Sequence, residues 1–168
     1  PQGKFPVLAD RSSVVFEATS IIEYLHLHHR GPAPLLPDDP AAAAEVRMMD
    51  RTFDNYVMNI MQQSVAEAID KGALSEETRQ KVGQQLDRSY RWLDNWLAGY
   101  EQRDHITLIE CAAAPSLFYA DWVHEIPDEY ERLKAWRAHL LALPPVSRCI
   151  EDARVYRHYF PLGAPDRD

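Results

Sequence analysis

The chain has 168 residues, of which 46% are hydrophobic and 26% charged, a composition typical of a globular protein with a sizeable buried core. Its 18 basic and 26 acidic residues give a formal net charge of −8, which argues against a nucleic-acid-binding surface because such surfaces are basic. No apolar run approaches the roughly 18 residues that a membrane-spanning helix needs. From the charge we therefore expect no nucleic-acid partner, and from the lack of a long apolar run no membrane partner.

The cysteines and the first residue bear on the compartment and on the extent of the chain. Cys111 and Cys149 lie far apart and lack the spacing of a metal or redox motif, so we interpret them as buried, inert thiols in a reducing compartment. No signal peptide is recognisable, which favours a cytoplasmic protein. Because Pro1 stands where a Met would be, we expect that the native N-terminus lies upstream.

The start of the chain predicts a β-hairpin and a short helix. Two short apolar runs, 5–9 and 13–16, are separated by a polar turn, which is typical of a hairpin. Residues 19–27 then carry apolar side chains at helical spacing. The proline-rich stretch from Gly31 to Pro40 predicts a linker between domains.

Beyond this linker the pattern is helical throughout. An apolar stripe predicts one long helix over residues 41–70, ended by Gly72. Ser75 is a good N-cap for a second helix, which Gly99 would close. The stripe of the first helix consists of Val46, Met49, Phe53, Val57, Ile60, Met61, Val65 and Ile69.

A third helix in this block is apolar nearly all round and is therefore expected to be the central, buried one. Thr107 and Glu110 have the spacing of a capping box at its start. Pro115 lies in its interior and predicts a bend, because proline removes a helical hydrogen bond. Two more helices are predicted over residues 129–142 and 146–155.

Three segments together resemble the glutathione S-transferase superfamily. "GKFPVL" followed by "FEATSIIEYL" resembles the second half of its thioredoxin-like domain, and "ITLIECAAAPSLFYADW" resembles its buried capping-box helix, with Glu110 where an Asp is usual. The resemblance implies a mainly α fold, in which a partial thioredoxin-like ββα unit precedes an all-helical C-terminal domain. It divides the chain into the end of the glutathione-binding domain (1–30), a linker (31–40), the helical domain (41–160) and a tail (161–168). The first half of the thioredoxin-like domain has no counterpart in this chain.

The resemblance also implies a glutathione site at the hairpin and at the start of the helix after it. In this family the proline equivalent to Pro6 is cis, and Val7 would pair its backbone N–H and C=O with glutathione. Glu17 would hold the γ-glutamyl ammonium. The hydroxyl residue that usually follows is Ala18 here, and Thr19 is the available substitute. The residues alone leave open a trans proline at the start of an edge strand, and a Glu17 that only favours the helix start.

The implied co-substrate is a small apolar electrophile, and the implied assembly is a homodimer formed mostly by the two long helices. We expect four residues of the first of these helices to line the electrophile pocket: Asn55, Tyr56, Met58 and Asn59. Three aromatic residues are weaker candidates for that pocket and are interpreted as core: Tyr119, Trp122 and Tyr159.

Two functions follow from the resemblance. The first is conjugation of glutathione to small apolar electrophiles, or a related glutathione-dependent reaction of the parent enzyme. The alternative is a non-catalytic dimerisation or binding module, which Ala18 favours. The catalytic Tyr, Ser or Cys of the family cannot be assigned in this chain, and we expect it upstream of Pro1.

A histidine cluster raises the question of a metal site. His26, His28 and His29 lie near the end of a predicted helix, where cationic groups suit the helix dipole. No matching Cys/His cluster occurs elsewhere in the sequence, so we expect no metal.

Overall fold

The computed structural model describes residues 3–168 and contains two compact units. The first unit holds the residues up to Asp50 together with Arg103–Cys111. The second holds Arg51–Gln102 and Ala112–Asp168. The mainly α fold class expected from the sequence is confirmed, whereas the domain boundaries drawn from the resemblance stay a prediction.

The first unit begins with the expected hairpin. Strands β1 (Val7–Asp10) and β2 (Ser13–Phe16) are antiparallel, with Val7 opposite Phe16. Along both strands exposed and half-buried residues alternate, as in a hairpin covered on one face. Helix α1 (Ala18–His28) follows directly, and helix α2 (Pro40–Phe53) begins after the proline-rich stretch.

The long helix expected over residues 41–70 is interrupted. After α2 the backbone forms a π-helical segment, Asp54–Met58, before helix α3 (Asn59–Lys71) continues. The predicted stripe is buried directly after this segment, at Met61. The prediction is wrong at Ile69 near the end of α3, which is 69% exposed whereas Ala68 beside it is buried, because residues eight positions apart on an α-helix are offset by about 80°. Gly72 ends α3 with a φ of 74°, as expected.

Four more α-helices and a 3-10 helix follow in the described part of the chain. Helix α4 (Glu76–Leu97) begins at Ser75, whose hydroxyl accepts a hydrogen bond from the Thr78 N–H at 3.2 Å. Helix α5 (Leu108–Val123) is the buried one and continues through Pro115, which is exposed. The two last α-helices and the closing 3-10 helix are α6 (Glu131–Ala142), α7 (Pro144–Ala153) and Arg154–Tyr159.

The buried core of the second unit lies among α3, α4, α5 and α6. Side chains from each of these helices are less than 2% exposed. Large examples are Met61, Leu86, Tyr90, Leu93, Leu117, Leu133 and Leu140, and Phe53 at the end of α2 is also fully buried. Among residues 3–168, no helix has both the length and the apolar character needed to cross a bilayer.

Candidate functional site

The start of the hairpin is the first part of the candidate site. The Phe5–Pro6 peptide bond is cis, as the resemblance implies. Val7 opens β1 directly after it and is 45% exposed. Within the described residues the sheet has two strands. The outer edge of β1 therefore presents backbone N–H and C=O groups that are not paired with another strand.

Glu17 joins the hairpin to α1 and has an unusual backbone conformation. Its φ is 69° and its ψ is 124°, a region that costs a non-glycine residue about 1–3 kcal/mol and that is found mainly at functional sites. Its side chain is exposed and, within residues 3–168, makes no capping hydrogen bond to α1. The carboxylate therefore points to solvent at the head of the helix rather than closing it.

The first turn of α1 offers backbone donors beside this carboxylate. The helix ladder begins with the bond from the Ile21 N–H to the Glu17 carbonyl at 2.9 Å. The N–H groups of Ala18, Thr19 and Ser20 precede it and have no partner inside the helix. Such groups, together with the helix dipole, favour a carboxylate ligand. An acid and free N–H donors side by side suit a zwitterionic group, which carries an ammonium and a carboxylate.

Ala18 and Thr19 differ in what they can add to this turn. Ala18 is exposed and has no hydroxyl. The Thr19 hydroxyl donates to the Asp50 carboxylate of α2, with Oγ1 at 3.1 and 3.2 Å from its two oxygens. The proton that would replace the missing hydroxyl of residue 18 is therefore engaged with Asp50.

Asp50 is a residue that the sequence interpretation missed. Its side chain is 3% exposed, although it carries a carboxylate. The signal was available, because Val46, Asp50 and Phe53 follow one another at steps of four and three residues on the inward face of α2. An acidic residue on an apolar helix face needs a buried partner, and here one such partner is Thr19.

A second polar contact joins the same two helices one turn further along. Arg47 donates two hydrogen bonds to the Glu23 carboxylate, each 2.9 Å long. Both side chains are partly exposed, at 39% for Arg47 and 26% for Glu23. The bidentate geometry fixes α1 against α2 without contacting the first turn of α1.

The histidines of the predicted cluster lie in different surroundings. His29 Nε2 lies 2.8 Å from Asp10 Oδ2, and the Tyr24 hydroxyl donates to the same oxygen at 3.1 Å. The hydrogen bonds from His29 and Tyr24 lower the pKa of Asp10. His26 is buried instead, at 7% exposed. Over residues 3–168 no three His, Cys, Asp or Glu side chains are grouped so that they could hold a metal ion.

The residues expected to form an electrophile pocket all lie on or next to the π-helical segment. A groove of about 610 Å³ opens between this part of the chain and α4 within the second unit, and Tyr56 is one of its lining residues. Asn59 Nδ2 donates to Asn55 Oδ1 at 3.3 Å, and Met58 Sδ lies 3.9 Å from Gln62 Nε2. Further lining residues are Val57, Ile60, Arg88, Ser89, Trp92 and Leu93.

The weaker candidates and the cysteines divide by burial. Tyr119 and Trp122 are half-buried and their rings pack edge-on at 5.6 Å, whereas Tyr159 is 71% exposed, so the interpretation of Tyr159 as core is wrong. Burial raises the pKa of the Cys111 thiol to about 11, which agrees with an inert cysteine. Cys149 is exposed, against expectation, because it lies on the outer face of α7.

Solved structures with the same fold are glutathione S-transferases. An enzyme from Rhodospirillum rubrum is 24% identical, with a TM-score of 0.73 over 87% of this chain and 70% of that one. One from Methylobacillus flagellatus, solved with GSH bound, is 24% identical, with a TM-score of 0.73 over 88% and 76%. A third, from Legionella pneumophila, is 19% identical, with a TM-score of 0.70 over 84% and 78%. No family model and no curated protein matches the chain.

These likenesses extend over most of the chain. One structure, that of glutathione S-transferase III, is matched over 98% of this chain with a TM-score of 0.73. The chain thus has the fold of the glutathione S-transferases, and its own part of that fold is a partial thioredoxin-like ββα unit followed by a helical domain.

Proposed function

We propose that this chain belongs to a glutathione-dependent transferase and that it binds glutathione at the start of β1 and the head of α1. The observation that carries the proposal is Glu17, which stands exposed at the N-cap of α1 with a φ of 69° and makes no capping bond within the described residues. Support comes from relatives in fold whose structures contain glutathione or a derivative of it. The resemblance of "GKFPVL" and "FEATSIIEYL" to the glutathione-binding segments points the same way.

Two of the three parts of the tripeptide, the cysteinyl and the γ-glutamyl parts, have groups of suitable chemistry in this proposal. The backbone of Val7 pairs with the cysteinyl part in the manner of an added strand. The Glu17 carboxylate binds the γ-glutamyl ammonium, and the N–H groups of Ala18 and Thr19 bind the γ-glutamyl carboxylate. Because Ala18 supplies no hydroxyl, affinity is expected to be about fivefold below that of a site with one more hydrogen bond.

The reaction proposed is conjugation of the glutathione thiol to a small apolar electrophile, or a related glutathione-dependent reaction. We propose Asn55, Tyr56, Met58 and Asn59 as wall residues of the electrophile pocket. A cytoplasmic homodimer, joined mostly through the helices between Pro40 and Leu97, is part of the same proposal. Sedimentation equilibrium at micromolar concentration tests the dimer, and a monomer would contradict it.

Retention on immobilised glutathione, followed by elution with free glutathione, tests the binding. The wild-type protein is expected to be retained, Glu17→Gln to be retained much less, and Glu129→Gln to behave as the wild type because Glu129 lies exposed ahead of α6. Turnover of an aryl halide with glutathione, measured on the full-length protein that includes the residues expected upstream of Pro1, then separates two functions. Retention with turnover supports a transferase, and retention without turnover supports a non-catalytic binding module, which the missing hydroxyl at Ala18 favours. A wild-type protein that is not retained contradicts both.

A further inference from the structure

The buried carboxylate of Asp50 is bound to the turn that holds the proposed glutathione site. Its two oxygens accept from Thr19 Oγ1 at 3.1 and 3.2 Å, and its side chain is 3% exposed. Thr19 is the second residue of α1, and Asp50 lies 31 residues away on α2. This contact therefore ties the exposed first turn of α1 to a buried group of the first unit.

The first turn of α1 needs such an anchor. Helix ends fray unless side chains hold them, and Glu17 does not cap this helix through its side chain. The backbone of Glu17 also lies in a region that persists only where the surroundings enforce it. Thr19, two residues on, is a side chain of this turn that forms a hydrogen bond to a buried group.

We propose that Asp50 is a positioning residue of the glutathione site, a role that rests on the proposed function. Asp50 does not contact glutathione in this proposal. It acts through the Thr19 hydroxyl, and it holds the Glu17 carboxylate and the first N–H groups of α1 in the arrangement that binds the γ-glutamyl end. Fixing these groups before binding lowers the ordering cost that glutathione would otherwise meet.

The arrangement also explains how Thr19 can matter for binding while its hydroxyl proton is engaged elsewhere. A hydroxyl committed to Asp50 adds no hydrogen bond to the ligand, so it cannot replace the one lost at Ala18. It does set the position of the turn on which the ligand-binding groups stand. The Arg47–Glu23 contact joins the same helices about one turn away and leaves the first turn untouched, which makes it a matched comparison.

Four variants test the role: Thr19→Val, Thr19→Ser, Asp50→Leu and Arg47→Met. Thr19→Val keeps the shape of the side chain and removes the donor, whereas Thr19→Ser keeps the donor. Two quantities are measured for each variant. They are the amide hydrogen exchange rates in the first turn of α1 and the dissociation constant for glutathione by calorimetry.

Thr19→Val is expected to weaken glutathione binding roughly fivefold and to speed exchange in the first turn roughly tenfold. Thr19→Ser is expected to stay within about twofold of the wild type in both, because a serine hydroxyl reaches the same acceptor. Arg47→Met should lower thermal stability and leave both quantities near the wild-type values. The double variant, Thr19→Val with Asp50→Leu, should bind glutathione no more weakly than Asp50→Leu alone. Either change by itself already removes the hydrogen bond between Thr19 and Asp50.

Equal exchange and equal affinity in Thr19→Val and the wild type would overturn the role of Asp50. The role of Asp50 would also be overturned if Arg47→Met lost as much affinity for glutathione as Thr19→Val. Any loosening of α1 against α2 would then weaken binding, and the contact at Thr19 would have no special part in it. If Asp50→Leu fails to fold, Thr19→Val and Thr19→Ser decide the matter between them. A wild-type protein that does not bind glutathione contradicts the proposed function, whereas the exchange rates still show whether Asp50 anchors the turn.

Discussion

Glu110 accepts two hydrogen bonds from Thr107, one from its backbone N–H at 2.7 Å and one from its hydroxyl at 2.6 Å. Both residues are buried, at 5% and 1% exposed. The Thr107 hydroxyl in turn accepts from the Ile109 N–H at 3.2 Å. The capping box expected from the sequence is thus present and lies within the protein interior at the start of α5, where water cannot replace a lost partner.

The first prediction concerns Glu110→Ala. Removal of this carboxylate leaves the N–H and hydroxyl of Thr107 buried without their acceptor, and we expect the free energy of unfolding to fall by about 2–3 kcal/mol. Urea denaturation measures the loss. Ser75→Ala removes the N-cap of α4 and the exposed hydrogen bond from the Ser75 hydroxyl to Glu67, and should cost only about 1 kcal/mol because water can replace both partners. A Glu110→Ala variant no less stable than Ser75→Ala would contradict the importance of burial here.

The second prediction concerns Asp94, a residue of α4 that serves the start of another helix. Its carboxylate accepts from the Leu133 N–H at 3.0 Å and from Arg132 Nη1 at 3.2 Å. Tyr130, the N-cap residue of α6, provides no side-chain cap among the described residues, so Asp94 satisfies a donor that α6 leaves open. Asp94 is 7% exposed, whereas the Arg132 side chain is 60% exposed.

Asp94→Ala is therefore expected to lower the free energy of unfolding by about 2 kcal/mol or more, since a buried N–H loses its partner. Arg132→Gln removes the exposed half of the ion pair and should cost less than about 1 kcal/mol. Thermal and urea unfolding of both variants test this order. Equal losses would mean that the ion pair, and not the bond to the Leu133 N–H, carries the effect.

The sequence predicted the secondary structure well where local chemistry decides it. Three features depend on residues within four positions of one another: the turn of the hairpin, the helix starts at Ser75 and Thr107, and the helix end at Gly72. The π-helical segment Asp54–Met58 was not predictable, because its residues read as a regular amphipathic helix. Ile69 faces solvent while Met61 is buried because the two lie eight residues apart on α3, an offset of about 80° around a helix of 3.6 residues per turn.

The candidate site shows the same division. Glu17 and Ala18 were found by resemblance, and the short-range pattern around them is visible in the sequence. The contact between Thr19 and Asp50 joins residues 31 positions apart, and helical periodicity alone does not reveal which residues meet across such a distance. The sequence shows that Asp50 is an acid on the apolar face of α2, which indicates a buried polar contact, but it does not show that Thr19 is the partner.

The third prediction is a gain of affinity from Ala18→Ser. The residue is exposed at the first position of α1, so a serine fits without displacing a neighbour and its hydroxyl can donate to the γ-glutamyl carboxylate. We expect the dissociation constant for glutathione to fall roughly fivefold, as one added hydrogen bond allows. Ala44→Ser, an exposed alanine near the start of α2, serves as the matched change and should leave it unaltered. Calorimetric titration compares the three proteins. Equal affinities of Ala18→Ser and the wild type for glutathione would mean that the γ-glutamyl carboxylate does not bind beside residue 18.

The last prediction concerns acid stability and Glu67. Its carboxylate accepts from Lys71 Nζ at 2.8 Å and from the Ser75 hydroxyl at 3.0 Å, so it joins the end of α3 to the start of α4. The Lys71 bond, followed by those from Thr78 and Ser75, lowers the pKa of Glu67 to about 2. A lowered folded-state pKa means that this carboxylate stabilises the fold above about pH 4.5. Its contribution is lost as the pH falls from there toward 2.

Glu67→Gln should accordingly be less stable than the wild type at pH 7, and the gap should narrow as the pH falls toward 2. The difference in stability between Glu67→Gln and the wild type is measured from the midpoints of urea unfolding at several pH values between about 7 and about 2.5. Glu129→Gln removes the same charge from an exposed position, and its difference from the wild type should stay small at every pH. A Glu67→Gln gap that is constant with pH would show that the amide loses the hydrogen-bond geometry but that protonation of the acid plays no part.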